Sequence, residues 1–454
     1  MRASAEAFRG AGNCATGHAQ STPDTAHRTA PHRTPHRTAH RTAPHRTAPH
    51  RTAPAPHPAF LTPRRVTVDF SFGPADSAFR EDARAWLAQH TPWGGQPGTW
   101  ERELGRGGWI GIGWGETAYG NRSAGLTQQV VWAEEYARAK APPRTGHIGE
   151  NLLAPTLLAH GTPAQKARFL PPIARGEELW CQGYSEPGAG SDLAGIRTVA
   201  RRDGDTYRIT GQKIWTSLAH EAQWCFVLAR TEEGSRRHHG LSFLLVPMDQ
   251  PGRIEVRPIR QMTGTSEFNE VFFDGAEARA EHLVGGEGNG WQVAMSLLAL
   301  ERGVSTLAQQ VGFAAELEHV VAQAVSGQAP GAGADPLDPV LRARLVAQWA
   351  ELKVMRWNAL RTLGGSGDAG APSVAKLLWG GWHRRLGELA MAVRGTAAAV
   401  GPYDWDESRP YELDPLQHLF LFARADTIYG GSDEIQRTII AERVLGLPRE
   451  VRVP

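Results

Sequence analysis

Helix-like and strand-like segments do not alternate along this chain; they are sorted into blocks. From Pro74 to about Glu178, apolar residues recur at three- and four-residue spacing, as in FREDARAWLAQH, LTQQVVWAEEYARA and TPAQKARFLPPIARG. That is the pattern of helices burying one face. Thr162 before Pro163 has the form of an N-cap with proline in the first turn. From Trp180 to about Gly275 the texture becomes short and β-rich: TYRIT, QWCFVLAR, GLSFLLVPM, RIEVRPI and NEVFFDG, punctuated by Gly, Asp and Pro. From Gly288 onward the pattern is helical again, with GQAPGAGADPLDP and GGSGDAGAPS reading as loops. Segregation of this kind predicts an α+β fold and argues against a dinucleotide-binding alternation. The expected division is a tail over 1–65, a helical domain over 66–178, a β domain over 179–276 and a helical bundle over 277–454.

The tail repeats HRT six times between residues 27 and 52, spaced by Ala and Pro, and has no apolar core of a secretory signal. It reads as disordered low complexity; metal capture or an Arg-rich targeting role are the functional alternatives. Its ten arginines against two acids give about +8 of charge, so the formal +2 of the whole chain conceals a mildly acidic body. Such a body gives no reason to propose a nucleic-acid partner. No run of 18 apolar residues suggests a membrane span. Cys14, Cys181 and Cys225 are too few and scattered for a disulfide framework and lack metal-ligand spacing, so a reducing cytoplasm is expected.

Three stretches carry candidate chemistry. WCQGYSEPGAGSDLAG, residues 180–195, is glycine-rich, but Gly188, Gly190 and Gly195 have neither Rossmann nor P-loop spacing. GQKIWTSLAH places Trp215 in strand-like sequence beside Thr216 and Ser217. TIYGGSDEIQR puts two bare glycines, Gly430 and Gly431, just before a helix that opens with Ser432, Asp433 and Glu434 and continues through IQRTIIAERVLGL. Taken singly, these read as an ordinary turn, a core tryptophan and a close approach of backbone.

Together, and in this order, SEPGAGSD, GQKIWTS and IYGGSDEIQRTIIAERVLG resemble the acyl-CoA dehydrogenase family over roughly residues 68–449. The resemblance implies an N-terminal helical domain, a middle β-barrel and a C-terminal four-helix bundle. It also implies FAD between the β domain and the bundle, usually in a tetramer. By the same resemblance Ser185 lies at the flavin's pyrimidine edge, Trp215 packs on the ring, and Ser217 hydrogen-bonds near N5. Ser432 and Glu434 match FAD-contacting positions; Ser191, Arg302 and Gly431 match positions near the acyl-CoA.

In many members the final loop reads Tyr-Glu-Gly-Thr and its Glu is the base that takes the α-proton. Here it reads Tyr-Gly-Gly-Ser, with Gly430 at that place. The pattern from Gly290 offers another acid: Glu301 falls on the apolar row Val293, Leu297, Glu301, Val304, Ala308. A carboxylate on such a row is costly unless paired or functional, and the pattern alone leaves both readings open. A subset of the family, including isovaleryl- and long-chain acyl-CoA dehydrogenases, carries its base on this helix, and Glu301 aligns with it.

The adenine-side signature departs from the family. The usual Arg-x-x-Phe-Gly is missing from SGQAPGAGADPLDP, and the paired glycines are reduced to AMAVRGTAA around Gly395. The expectation is therefore an FAD-dependent acyl-CoA dehydrogenase that acts as a homotetramer, or as a heterotetramer with a paralogue. Electron-transferring flavoprotein is the expected acceptor. The alternatives are a non-catalytic or site-sharing partner subunit, or an oxidase or flavin monooxygenase on the same fold.

Overall fold

Pro74 opens the first helix where a missing N–H costs nothing, and Asp76 accepts from the Gly73 N–H at 3.0 Å. This computed structural model describes residues 72–96, 98–300, 305–326, 338–362, 370–401 and 413–449. The HRT tail, Glu301 and Arg302 lie outside the described residues.

Five α-helices form the N-terminal block: α1 (Pro74–His90), α2 (Trp100–Arg106), α3 (Leu126–Arg138), α4 (Ala154–His160) and α5 (Pro163–Ala174). The α5 cap is as expected, with the Thr162 hydroxyl accepting from the Gln165 N–H and Gln165 reaching back to the Thr162 N–H. Trp100, Trp109 and Trp132 build the core here, the last two stacked at 4.1 Å. Just before α4, Gly149–Leu153 winds as a π-turn, which periodicity did not announce.

The middle block has eight strands: β1 (Trp180–Gly183), β2 (Val199–Asp203), β3 (Thr206–Ser217), β4 (Trp224–Arg230), β5 (Leu241–Pro247), β6 (Ile254–Ile259), β7 (Phe268–Arg279) and β8 (Leu283–Val284). They pair in the order β6-β7-β3-β2-β4-β5-β8, with β1 parallel to β4. Strand β4 is buried on both faces. Cys225, Val227 and Ala229 face the sheet's own core, while Phe226 and Leu228 join a second core with Leu157, Phe169 and Leu297. Alternation sends successive side chains to opposite faces, so this one strand ties helices and sheet together. Cys181 and Cys225, 44 positions apart in sequence, are register partners and both buried thiols; scattered spacing hid their proximity.

The C-terminal block contains α6 (Gly290–Leu300), α7 (Ser305–Ser326), α8 (Pro339–Arg361), α9 (Ala371–Arg394), α10 (Pro415–Phe422) and α11 (Asp433–Ile439). Gly290 is required where α6 meets β5, because a Cβ there would stand 2.5 Å from the Ser242 backbone. Helices α7 to α10 share one core through Phe313, Leu352, Trp382 and Leu419. Helix α9 starts at Ala371, inside a stretch expected to be loop, because Pro372 fits a first helical turn. The helix after Ser432 is shorter than its sequence pattern: α-winding stops at Ile439 and gives way to a π-turn over Ile440–Val444.

Candidate active site

Two clusters collect the described candidate residues, one on the sheet and one before α11. On the sheet, β3 and β7 pair in unbroken register from Thr210 opposite Asp274 to Lys213 opposite Val271, and pairing resumes with Thr216 opposite Asn269. One extra residue on β3 makes a bulge, which re-aims side chains. Trp215 sits in it with φ +60°, and Leu218 just beyond Ser217 has φ +55°. A bulky residue in the left-handed region costs about 1–3 kcal/mol and persists only where its surroundings enforce it. The enforcing contacts are visible: Asn269, fully buried, donates to the Thr216 carbonyl at 3.0 Å, and the Leu218 N–H donates to the Glu267 carbonyl. The result is an indole 56% exposed, touched edge-on by Phe268. Ser217 is half-buried two residues on.

Ser185 is brought to the same place, its carbonyl accepting from the Ile214 N–H at 2.9 Å. Ser191 is exposed farther along the glycine-rich loop. Sequence reading missed what fixes that loop. Glu186, the glutamate of SEPGAGSD, accepts from the Arg197 and Thr198 N–H groups at 2.6 and 2.9 Å and pairs with Lys213 at 2.9 Å. Lys213 is 0% exposed and also donates to the carbonyls of Tyr184 and Leu228. Burial pulls the lysine's pKa down, opposed by Glu186; burial pushes the Glu186 carboxyl up, and Lys213 with the N–H donors outweighs it. A lysine at an inward strand position was the available signal.

Before α11, Gly430 and Gly431 have φ +63° and +83°. A Cβ on Gly431 would come within 2.5 Å of Gln436 Nε2, which donates to the Gly430 and Gly431 carbonyls at 3.2 and 3.1 Å. Ser432 caps α11, its hydroxyl accepting from the Ile435 N–H at 3.4 Å. Glu434 is exposed, its carboxyl held below the usual range by its own N–H and by the Ser432 hydroxyl.

A flat cofactor suits these features. The exposed Trp215 indole offers a wall for an aromatic ring, the buried Thr216 Oγ1 has no hydrogen-bond partner among the described residues, and the side-chain-free turn admits close approach. Among the described residues no group of His, Cys, Asp and Glu could hold a metal ion.

Comparisons with known proteins agree with this architecture. The family models for the N-terminal, middle and C-terminal domains of acyl-CoA dehydrogenase match residues 74–177, 181–276 and 288–445. Acyl-CoA dehydrogenase IpdE1 of Mycobacterium tuberculosis is 52% identical over 393 residues, covering 82% of this chain and 98% of that protein. Among solved structures, the Tcur3481-Tcur3483 steroid ACAD superposes with a TM-score of 0.72 at 28% identity, covering 84% of this chain and 100% of that one. The ChsE4-ChsE5 complex from Mycobacterium tuberculosis gives 0.71 at 30% identity, with the same coverage. Three matched domains in the order of helices, sheet and helices, and a relative sharing half its residues along nearly its whole length, lead to one assignment: this chain belongs to the acyl-CoA dehydrogenase family.

Proposed function

We propose that this flavoprotein dehydrogenase desaturates a bulky acyl-CoA thioester between Cα and Cβ, with Glu301 as the base. The observation that carries the reading is the strained, exposed Trp215 above the Glu186–Lys213 anchor, a rigid wall for a flavin ring. Bound FAD supplies the acceptor for the β-hydride. The chain's own carboxylate takes the α-proton, the two C–H bonds break, and the product is a trans-2-enoyl thioester. Ser185, Trp215 and Ser217 orient the flavin; Ser432 and Glu434 hold its other side. Ser191, Arg302 and Gly431 serve the thioester. Gly430 and Gly431 leave room that a side chain would fill.

Two features support a bulky acyl group and a second chain. One solved relative is a steroid ACAD, and the ChsE4-ChsE5 structure is a complex. Helix α8 also turns apolar side chains both ways: Leu345, Leu352 and Met355 inward, and Val346, Trp349, Val354 and Trp357 outward, the two tryptophans each 56% exposed. Exposed tryptophans and valines side by side on one helix face suit an interface. A paralogue seated there to complete the adenine side is the favoured partner; a homotetramer is the alternative. Electron-transferring flavoprotein as acceptor and a cytoplasmic location belong to the same reading.

The test is a visible spectrum of the purified protein, alone and co-expressed with a paralogue, titrated with straight, branched and polycyclic acyl-CoAs. Bleaching of the flavin band by polycyclic thioesters is expected, slowed at least about a hundredfold in Glu301→Gln. Equal bleaching in wild type and variant removes Glu301 as the base. Rapid oxygen consumption by the reduced protein would favour an oxidase instead.

A further inference from the structure

The bundle contains a chain of polar groups that the desaturation step does not use. His383, on α9, is buried between two acids: Nδ1 lies 2.5 Å from Asp426 Oδ2 and Nε2 lies 2.8 Å from Glu316 Oε2 on α7. Carboxylates only accept, so both ring nitrogens carry hydrogens and the ring is an imidazolium. Phe313 stacks on it at 4.3 Å and fixes its plane. The second oxygen of Asp426 accepts from the Tyr429 hydroxyl at 2.6 Å, and the Asp426 carbonyl accepts from Lys376. The Lys376 ammonium also lies over the rings of Trp379 and Tyr429, at 4.2 and 5.2 Å. Tyr429 is the residue immediately before Gly430.

The chain therefore runs from α7, which begins four residues after Glu301, across α9, to the residue that leads into the glycine turn. Gly430 and Gly431 have no side chains to hold them, and Gln436 grips only their carbonyls from the downstream side. The upstream side is held through Tyr429. We propose that Glu316, His383, Asp426 and Tyr429 are positioning residues that set the place of the Gly430–Gly431 turn relative to α7. In this role the four act through the turn and not on the reacting atoms. That the turn faces the thioester rests on the functional reading above, whereas the bracing itself rests on the geometry alone.

An apolar packing would hold Tyr429 as a ring without fixing its hydroxyl. Here the hydroxyl is fixed by an acid that is in turn fixed by a doubly bonded imidazolium, which removes rotational and sliding freedom. A displacement of about 1 Å in such a turn is enough to cost about a hundredfold in rate when reacting groups must be aligned.

The experiment uses the full-length holoenzyme with Tyr429→Phe, His383→Gln and, as a surface control, Arg385→Ala. Arg385 pairs with Glu351 on the exposed side of the same bundle. Hydrogen–deuterium exchange is followed in peptides covering 428–436 and, separately, in α9. Exchange at 428–436 is expected to speed up about tenfold in Tyr429→Phe and His383→Gln, with α9 unchanged in Tyr429→Phe. Arg385→Ala should match wild type in both. The rate of flavin reduction by a thioester should fall in the same two variants, with FAD content retained. Unchanged exchange at 428–436 in Tyr429→Phe overturns the proposal, even if His383→Gln fails to fold. A wild-type enzyme that no thioester bleaches overturns the desaturase reading instead, and the exchange result still decides the bracing.

Discussion

Trp215 and the Gly430–Gly431 turn are both backbone in the left-handed region, reached by opposite choices of residue. At Gly430 and Gly431 the conformation is free of strain because nothing is attached to Cα. At position 215 the largest of side chains occupies a conformation it disfavours, and a bulge, Asn269 and a buried ion pair hold it there. Under the proposed function, the missing side chain is the useful part in one region and the side chain itself in the other. Leu218 shares the left-handed backbone without a proposed role of its own, so the strain belongs to the bulge around Trp215, and strain often collects at working sites.

Substitution should cost most at the Glu186–Lys213 anchor. Lys213→Met leaves Glu186 as an uncompensated buried carboxylate and should destabilise the protein by about 3–5 kcal/mol. Chemical unfolding should show this, with loss of flavin in the surviving fraction; a change under about 1 kcal/mol would mean the pair does not hold the bulge. A smaller effect separates the two regions themselves. Gly431→Ala adds a Cβ to a φ of +83° and against Gln436, so a loss of about 1–3 kcal/mol is expected. Trp215→Phe keeps the strained backbone and trims an exposed ring, so stability should move by only about 0.5 kcal/mol, while the flavin absorption band shifts. If Trp215→Phe destabilised more than Gly431→Ala, the indole would be serving the sheet rather than a cofactor.

Most of the architecture was legible because it is local. Periodicity located α1, α3 and α5, the runs from TYRIT to NEVFFDG became β3 to β7, and Thr162 capped as its neighbours required. Trp215 by itself read as a core tryptophan, since aromatics suit strands; only the family resemblance singled it out, and the structure exposes it. What stayed hidden depends on pairs far apart in sequence. Glu186 and Lys213 are 27 positions apart, His383 and Asp426 are 43, and Cys181 meets Cys225 only through the parallel pairing of β1 with β4. Periodicity reports which face a residue takes, not which distant residue it meets there. The π-turn at Gly149–Leu153 was hidden for a different reason: five residues are too few to show a period of their own.

The imidazolium of His383 makes the glycine turn's hold depend on a proton. Burial opposes the charge on the ring, but Asp426 and Glu316 outweigh it and raise the pKa to about 9. The charged and titratable groups around it are Glu316 from α7, Asp426 and Tyr429 from the segment before α11, and Lys376 earlier on α9. Burial and the Asp426 charge push the tyrosine hydroxyl up, so it keeps its proton throughout. The folded-state value lies above the ordinary 6.5, so the stabilisation is complete below that pH and is lost as pH climbs through about 9. Melting temperature should therefore fall over that alkaline window in wild type and more shallowly in His383→Gln. Alkalinity would then loosen the turn, so that the placement of a segment with no side chains of its own answers to the surrounding pH.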